Sequence, residues 1–210
     1  VNISGDGVDG DKRLTPSLTS VNISGRLVGV EVDTDIIFTN DAKFGSTSSI
    51  TVGSPTSGTP WSLGASPAPC ATLGVGEDCV VRLTFYPVIP GSTSGTVTVT
   101  ASNVNAPRII SYAGSALKIS TSTSTLNFGI VDVNVGKVHP TVVKITNPSS
   151  IDQASGCSLS IDPPFTALSN SCTTSLSNGA ECSFQVDLPP QISEQTLIGQ
   201  AQYSCAVGGT

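Results

Sequence analysis

Six cysteines and a single histidine are the residues of this 210-residue chain with the widest chemical reach. Cys70, Cys79, Cys157, Cys172, Cys182 and Cys205 form an even set without a C-x-x-C pair, and His139 alone is on hand to complete a zinc site. That pattern favours disulfides over metal, and disulfides belong to an oxidising location: periplasm, cell surface or medium. Two cysteine pairs bracket short polar loops with turn glycines. Cys70 and Cys79 enclose Gly74 and Gly76, Cys172 and Cys182 enclose Gly179, and a strand pattern follows each loop at once. If Cys172 pairs with Cys182 as Cys70 pairs with Cys79, Cys157 is left for Cys205. In the loop-entropy picture each short bridge contributes roughly 3 kcal/mol and the long one about 4.

Other reactive patterns carry less. A serine triad needs a histidine base, and His139, between Val138 and Pro140, reads as a solvated turn residue before a strand. Paired cysteines leave no thiol nucleophile. Glu77 with Asp78, and Asp33 with Asp35, read as carboxylates in polar loops, where both members stay ionised and no acid and base roles separate. Gly5, Gly7 and Gly10 spell G-x-G-x-x-G, yet no helix pattern follows, and Asp6, Asp9 and Asp11 would repel a pyrophosphate, so a glycine-rich linker is the expected reading. The same aspartates are oxygen ligands of the kind calcium takes, at a spacing unlike an EF-hand loop, and the sequence leaves that point open. No catalytic residue, cofactor or metal is expected.

The elements that would position these residues are strands. Val, Thr and Ser runs with Gly 21, Pro 14 and 5% aromatic residues favour an all-β class, and no window has helical periodicity. A net charge of -6 and a sequence pI near 4.5 argue against nucleic acid and anionic membrane surfaces. No apolar run reaches the roughly 18 residues of a membrane-spanning helix. The first residue, Val1, rather than Met, reads as a matured or excised segment.

The chain also aligns with itself. Placing Cys79 on Cys182 sets Val81, Leu83 and Phe85 over Phe184, Val186 and Leu188, an inward series, and sets Val80, Arg82 and Thr84 over Ser183, Gln185 and Asp187, an outward one. Ile36, Ile37, Phe38, Thr39, Asn40 match Val143, Lys144, Ile145, Thr146, Asn147. The same alignment puts Ile50 on Cys157, Ala101 on Cys205, Gly95 on Gly199 and Trp61 on Phe165. Cys157 and Cys205 thereby replace an inward pair, as an interstrand bridge would. Trp61, near Pro60, reads as core packing in preference to a sugar-stacking platform, and Lys144 falls on the outward face, away from any isopeptide role.

These residues resemble the immunoglobulin-like repeats of bacterial choice-of-anchor D surface proteins, relatives of the abnormal-spindle and Hydin domains. Leu126, Asn127, Phe128, Gly129, the strand and turn from Val143 to Asn147, and the first cysteine loop with Tyr86, Pro87 and Gly91 carry the resemblance. It implies tandem β-sandwiches and a role at the cell surface. The opening Val21, Asn22, Ile23, Ser24, Gly25 departs from the Leu-Asn-Phe-Gly pattern.

The expected architecture is therefore all-β, with two tandem immunoglobulin-like β-sandwich domains: residues 1–12 as an N-terminal strand or linker, 13–116 as domain 1 and 117–210 as domain 2. The join near residues 114–119 is short, so stiff coupling is expected. Domain 1 closes on Ile110, Ser111, Tyr112, Ala113, Gly114, and domain 2 has no comparable closing strand. Val1, Asn2, Ile3 and Ser4 look like such a strand. They read either as the end of a preceding module in a longer array or as a strand donated to the open edge of the next subunit. The expected function is a non-enzymatic, extracellular structural or adhesive module, a stalk segment or pilus-like filament subunit on a bacterial surface. Its partners would be other copies or neighbouring modules, with a surface protein or glycan as a further ligand. The competing reading is a carbohydrate- or protein-binding module that uses loops at one sandwich end.

Overall fold

The computed structural model describes residues 14–42, 45–47, 49–56, 59–102, 104 and 106–209. Val1, Asn2, Ile3 and Ser4, and Asp6, Asp9 and Asp11, lie outside the described residues. Among those described, all the regular structure is strand, so the chain is all-β as its Val, Thr, Gly and Pro content dictates. Among the described residues no helix is long and apolar enough to cross a membrane. The chain divides into two compact units. The first takes the described residues up to Ser24, with Glu31–Tyr86 and Ser92–Gly114, and the second takes Gly25–Val30, Pro87–Gly91 and the residues from Ser115 on.

The first eight strands are β1 (Leu14–Pro16), β2 (Ser20–Leu27), β3 (Val32–Asn40), β4 (Thr51–Val52), β5 (Trp61–Leu63), β6 (Asp78–Phe85), β7 (Gly91–Thr100) and β8 (Arg108–Leu117). They form two four-stranded sheets, in the orders β1-β3-β6-β5 and β2-β8-β7-β4. Alternation decides which side chains meet. Ile36 and Phe38 on β3 stand opposite Val81 and Cys79 on β6, and all four are buried, while Ile37 between them is exposed. Trp61 and Phe85 from one sheet meet Tyr112 from the other, with both ring pairs 4.7 Å apart. Val97, Val99 and Ile110 complete that core.

Thr84 departs from the expected outward face. It is buried because the chain at Gly64 crosses directly over it: a methyl group built on Gly64 would stand 2.6 Å from the Thr84 hydroxyl. The hydroxyl is satisfied by donating to Asp33 Oδ1 at 2.6 Å.

The remaining strands are β9 (Ser120–Thr121), β10 (Lys137–Val138), β11 (Val143–Thr146), β12 (Ala154–Ser155), β13 (Ser158–Ile161), β14 (Thr166–Leu168), β15 (Ser175–Leu176), β16 (Glu181–Leu188) and β17 (Ala201–Ser204). One sheet runs β10-β16-β11-β9, with β14 also on β16, and the pairs β12-β15 and β13-β17 stand as two-stranded sheets. Val143 faces Phe184 and Ile145 faces Cys182 on β11 and β16, the register that Ile36 with Val81 and Phe38 with Cys79 adopt on β3 and β6. What is one strand in β3 is split into β10 and β11, with Pro140, which offers no amide proton, in the gap. The inward residues of this unit, among them Val143, Ile145, Phe184, Val186 and Tyr203, form a separate core with Leu27 and Ile119.

Candidate functional site

Cysteines close each unit from within. Cys70 is bonded to Cys79 and Cys172 to Cys182, each with Cα atoms 5.0 Å apart, and Cys157 is bonded to Cys205 with Cα atoms 3.9 Å apart. None of the six is free. Ser158 pairs with Ser204, so the next residues out, Cys157 and Cys205, face one another at the end of β13 and β17. Thr51 pairs with Thr100 in the same way, which sets Ile50 beside Ala101 in the first unit. Three disulfides mark a protein of an oxidising compartment, extracellular or periplasmic.

A buried asparagine locks each cysteine loop to the sheet, a role the sequence reading missed although both residues stood in its aligned segments. Asn40 Nδ2 donates to the carbonyls of Gly45 and Leu73 at 3.2 and 3.0 Å, and its Oδ1 accepts from the Ala42 amide at 3.2 Å. Asn147 Nδ2 donates to Asp152, Leu176 and Ser177 carbonyls at 2.8, 3.1 and 3.1 Å, and its Oδ1 accepts from Ser149 N at 3.0 Å. The available signal was a Thr-Asn pair ending an alternating strand twice. Asparagine has both donors and acceptor at one carbon, which a loop with unpaired backbone groups needs.

The titratable candidates resolve differently from expectation. His139 is buried, not a solvated turn residue. Its ring meets the edge of Phe128 at 5.0 Å, Nδ1 accepts from the Thr141 amide at 3.1 Å, and Nε2 lies 3.3 Å from the Asn127 carbonyl, which fixes the tautomer with its proton on Nε2. Asp33 and Asp35 do not sit in a loop but on β3, beside Arg82 of β6. Arg82 donates to both oxygens of Asp35 at 2.7 and 2.8 Å, and this hydrogen bonding holds the Asp35 carboxyl below its usual range. Asp78 opens β6 and accepts from the Thr39 hydroxyl at 2.5 Å, while Glu77 caps the turn at Gly74 N at 2.6 Å. Lys144 points outward to Glu181 at 3.2 Å, and that contact, with Thr146, lowers the Glu181 carboxyl. Among the described residues no three His, Cys, Asp or Glu side chains cluster as a metal site. Trp61 is buried, with its ring on Phe85 and Tyr112, and presents no face to a sugar.

A groove with room for a ligand lies inside the second unit. It measures about 1270 Å³ and runs over the inward faces of β11 and β16, between the stretch 126–133 on one side and β17 on the other. Val143, Ile145, Phe184, Val186 and Leu188 make its floor, and Phe128, Phe165 and Tyr203 its walls. Ile130 and Ile198 on its lining are 99% and 90% exposed, an apolar rim that water disfavours. Burial raises the Tyr203 phenol, whose hydroxyl donates to the Thr173 carbonyl at 2.9 Å. Among the described residues β17 pairs with β13, and its Ala201, Gln202 and Tyr203 line the groove. Thr121, Thr125, Asn127, Gln200 and Gln202 share the lining with these aliphatic and aromatic side chains, so the groove is a mixed polar and apolar surface.

No protein-family model matches the chain, and no curated protein matches it. Among solved structures, the chain is similar to the VesB protease of Vibrio cholerae at 14% identity and a TM-score of 0.41, over 49% of this chain and 32% of that one. It is similar to a protein of unknown function from Porphyromonas gingivalis at 15% identity and a TM-score of 0.38, over 92% of both. The Escherichia coli chaperone DraB follows at 11% identity and a TM-score of 0.36, over 94% of both. The chain spans about a third of the length of the VesB protease. Likenesses this low assign neither a family nor an activity.

Proposed function

We propose that this chain is a non-enzymatic extracellular module, two tandem immunoglobulin-like β-sandwiches of the choice-of-anchor D type that serve as a stalk segment or filament subunit on a bacterial surface. The observation that carries the reading is a device used twice. In each unit a disulfide closes a loop ahead of an inward-alternating strand, and a fully buried asparagine bolts that loop to the neighbouring strand end. Such a unit invests its polar chemistry in holding shape. Its partners are neighbouring modules or further copies of itself, and the modest aromatic content makes covalent bridges worth roughly 3 kcal/mol each a large share of a small domain's stability.

Negative-stain imaging of the purified chain tests the reading. Rods or fibres that persist in protease and lose their form on reduction are expected. Compact particles that bind a glycan array in a loop-dependent manner would replace it with the binding-module reading.

A further inference from the structure

Asn178 is the only asparagine in the chain that is followed by glycine, and it stands in the turn of the second cysteine loop. That pair has a chemistry of its own. The carboxamide carbon of an asparagine lies within reach of the next residue's amide nitrogen, and a glycine has no Cβ to obstruct the approach. Once that nitrogen loses its proton it attacks: the bond from Gly179 N to Asn178 Cγ forms, the bond from Cγ to Nδ2 breaks, and ammonia leaves. Water then opens the five-membered imide at either carbonyl, which leaves aspartate or isoaspartate at position 178.

The fold opposes this reaction by hydrogen bonding, not by burial. Asn178 and Gly179 are both exposed, so water reaches them. The Gly179 amide, however, donates its proton to the Ser149 carbonyl at 2.8 Å, and Asn178 Nδ2 donates to the Ser150 carbonyl at 2.9 Å. The attacking nitrogen and the departing one are thus held by the same short stretch. Asn147 grips the loop from that stretch as well: its Nδ2 donates to the Leu176 and Ser177 carbonyls, each at 3.1 Å, and its amide to the Ala180 carbonyl at 3.0 Å. The Cys172–Cys182 bond closes the loop at its base.

We propose that Asn178 is a latent modification site, whose deamidation is held off while the Cys172–Cys182 bond is intact and begins when a thiol reduces that bond. Two molecules of a small thiol leave as their disulfide, and Cys172 and Cys182 take up the two hydrogens. The opened loop then no longer keeps Gly179 and Asn178 on the Ser149 and Ser150 carbonyls. The first unit supplies the contrast. Gly76 has the same left-handed backbone, with φ of 77° against 68° at Gly179, and its amide donates to the Asn40 carbonyl at 2.7 Å. Val75 stands where the second unit has Asn178, so that loop has no carboxamide to react. Isoaspartate inserts one extra carbon into the backbone ahead of Gly179, which moves the amide off Ser149. A passing reduction therefore leaves a lasting mark in the second unit, whatever surface the protein occupies.

The test follows peptides that span residue 178, from the full chain held at neutral pH, by mass spectrometry with chromatographic separation of isoaspartate from aspartate. Three forms are compared: the oxidised chain, the chain treated with dithiothreitol until alkylation shows Cys172 and Cys182 free with Cys157–Cys205 still bonded, and the oxidised Asn147→Ala chain. Conversion at residue 178 is expected to be about tenfold faster or more in the reduced chain than in the oxidised one, and to fall between them in Asn147→Ala, because the reaction runs through the opened loop. Amide exchange at Gly179 in the wild-type chain, which needs no variant to fold, should quicken on the same reduction. Equal conversion rates before and after reduction, no conversion in the reduced chain, a wild-type rate in Asn147→Ala, or unchanged exchange at Gly179 each overturns the inference.

Discussion

Asp152 holds the backbone of Leu27, which precedes it by 125 positions: its Oδ2 accepts the Leu27 amide proton at 2.7 Å, and its Oδ1 stands 2.9 Å from Arg26 Nη2. The carboxylate is buried, so truncation strands both the amide and the guanidinium. Asp152→Ala is expected to lower unfolding free energy by about 2–3 kcal/mol, and Asp152→Asn, which keeps an acceptor, by clearly less. Urea unfolding followed by circular dichroism measures the difference, and equal losses would show that the acceptor is not what matters.

Asn40 and Asn147 should behave as a matched pair. Each serves at least two carbonyls and one amide from a buried site. Replacement by alanine leaves those groups without partners and costs about 2 kcal/mol at either position. Replacement by aspartate, which has the shape but no donor, should be no better than alanine. A tolerated Asn→Asp change would mean that the carbonyls find other donors.

Gly114 tolerates no side chain where it crosses the Trp61 and Phe85 rings. Gly114→Ala forces them apart and is expected to destabilise the first unit by about 1–3 kcal/mol. Because Trp61 is the single tryptophan, the shift of its emission reports the same event. An unchanged spectrum with unchanged stability would contradict the packing described.

The three disulfides should reduce in order. Cys157 and Cys205 are both buried, whereas Cys70 and Cys172 are only half-buried. Reaction with a thiolate needs access to a sulfur, so mild reduction of the native protein is expected to open the Cys70–Cys79 and Cys172–Cys182 bonds first. Timed alkylation and peptide mass mapping give the order.

Acid should weaken the fold. Asp35 and Glu181 titrate below their ordinary values of 3.8 and 4.5 because Arg82 and Lys144 with Thr146 bond their charged forms. The folded state thus releases these protons more readily than the unfolded one. The stabilisation is fully present above the ordinary values and is lost as pH falls through the lowered ones. Asp35→Asn and Glu181→Gln should each flatten the acid limb of a stability-pH profile by lowering its neutral plateau, and only slightly, since both pairs are solvent-exposed.

Much of the sheet structure was legible because strand alternation is a local property. Ile36, Phe38, Val81, Leu83 and Phe85 announce one face by spacing alone, and Phe184, Val186 and Leu188 repeat it. Residues whose surroundings come from distant segments were not legible. His139 is enclosed by Phe128 and the Asn127 carbonyl, and Thr84 by the chain at Gly64, neither of which sequence proximity reveals. Asp33 and Asp35 looked like loop carboxylates because outward strand positions and turns share a composition, and only pairing with β6 supplies Arg82. Asn40 and Asn147 read as turn residues by type, while their work is done by carbonyls some thirty positions away. The groove is legible only once the stretch 126–133, β11, β16 and β17 are seen to lie together.

The Cys157–Cys205 bond also sets how the chain would respond to tension. The two cysteines are separated by 48 positions, and a load carried along the backbone would cross the sulfur bridge and bypass everything between them. About 160 Å of contour length is thereby kept from paying out, so a tether containing this unit would lengthen in a short step and then resist until the bridge is reduced.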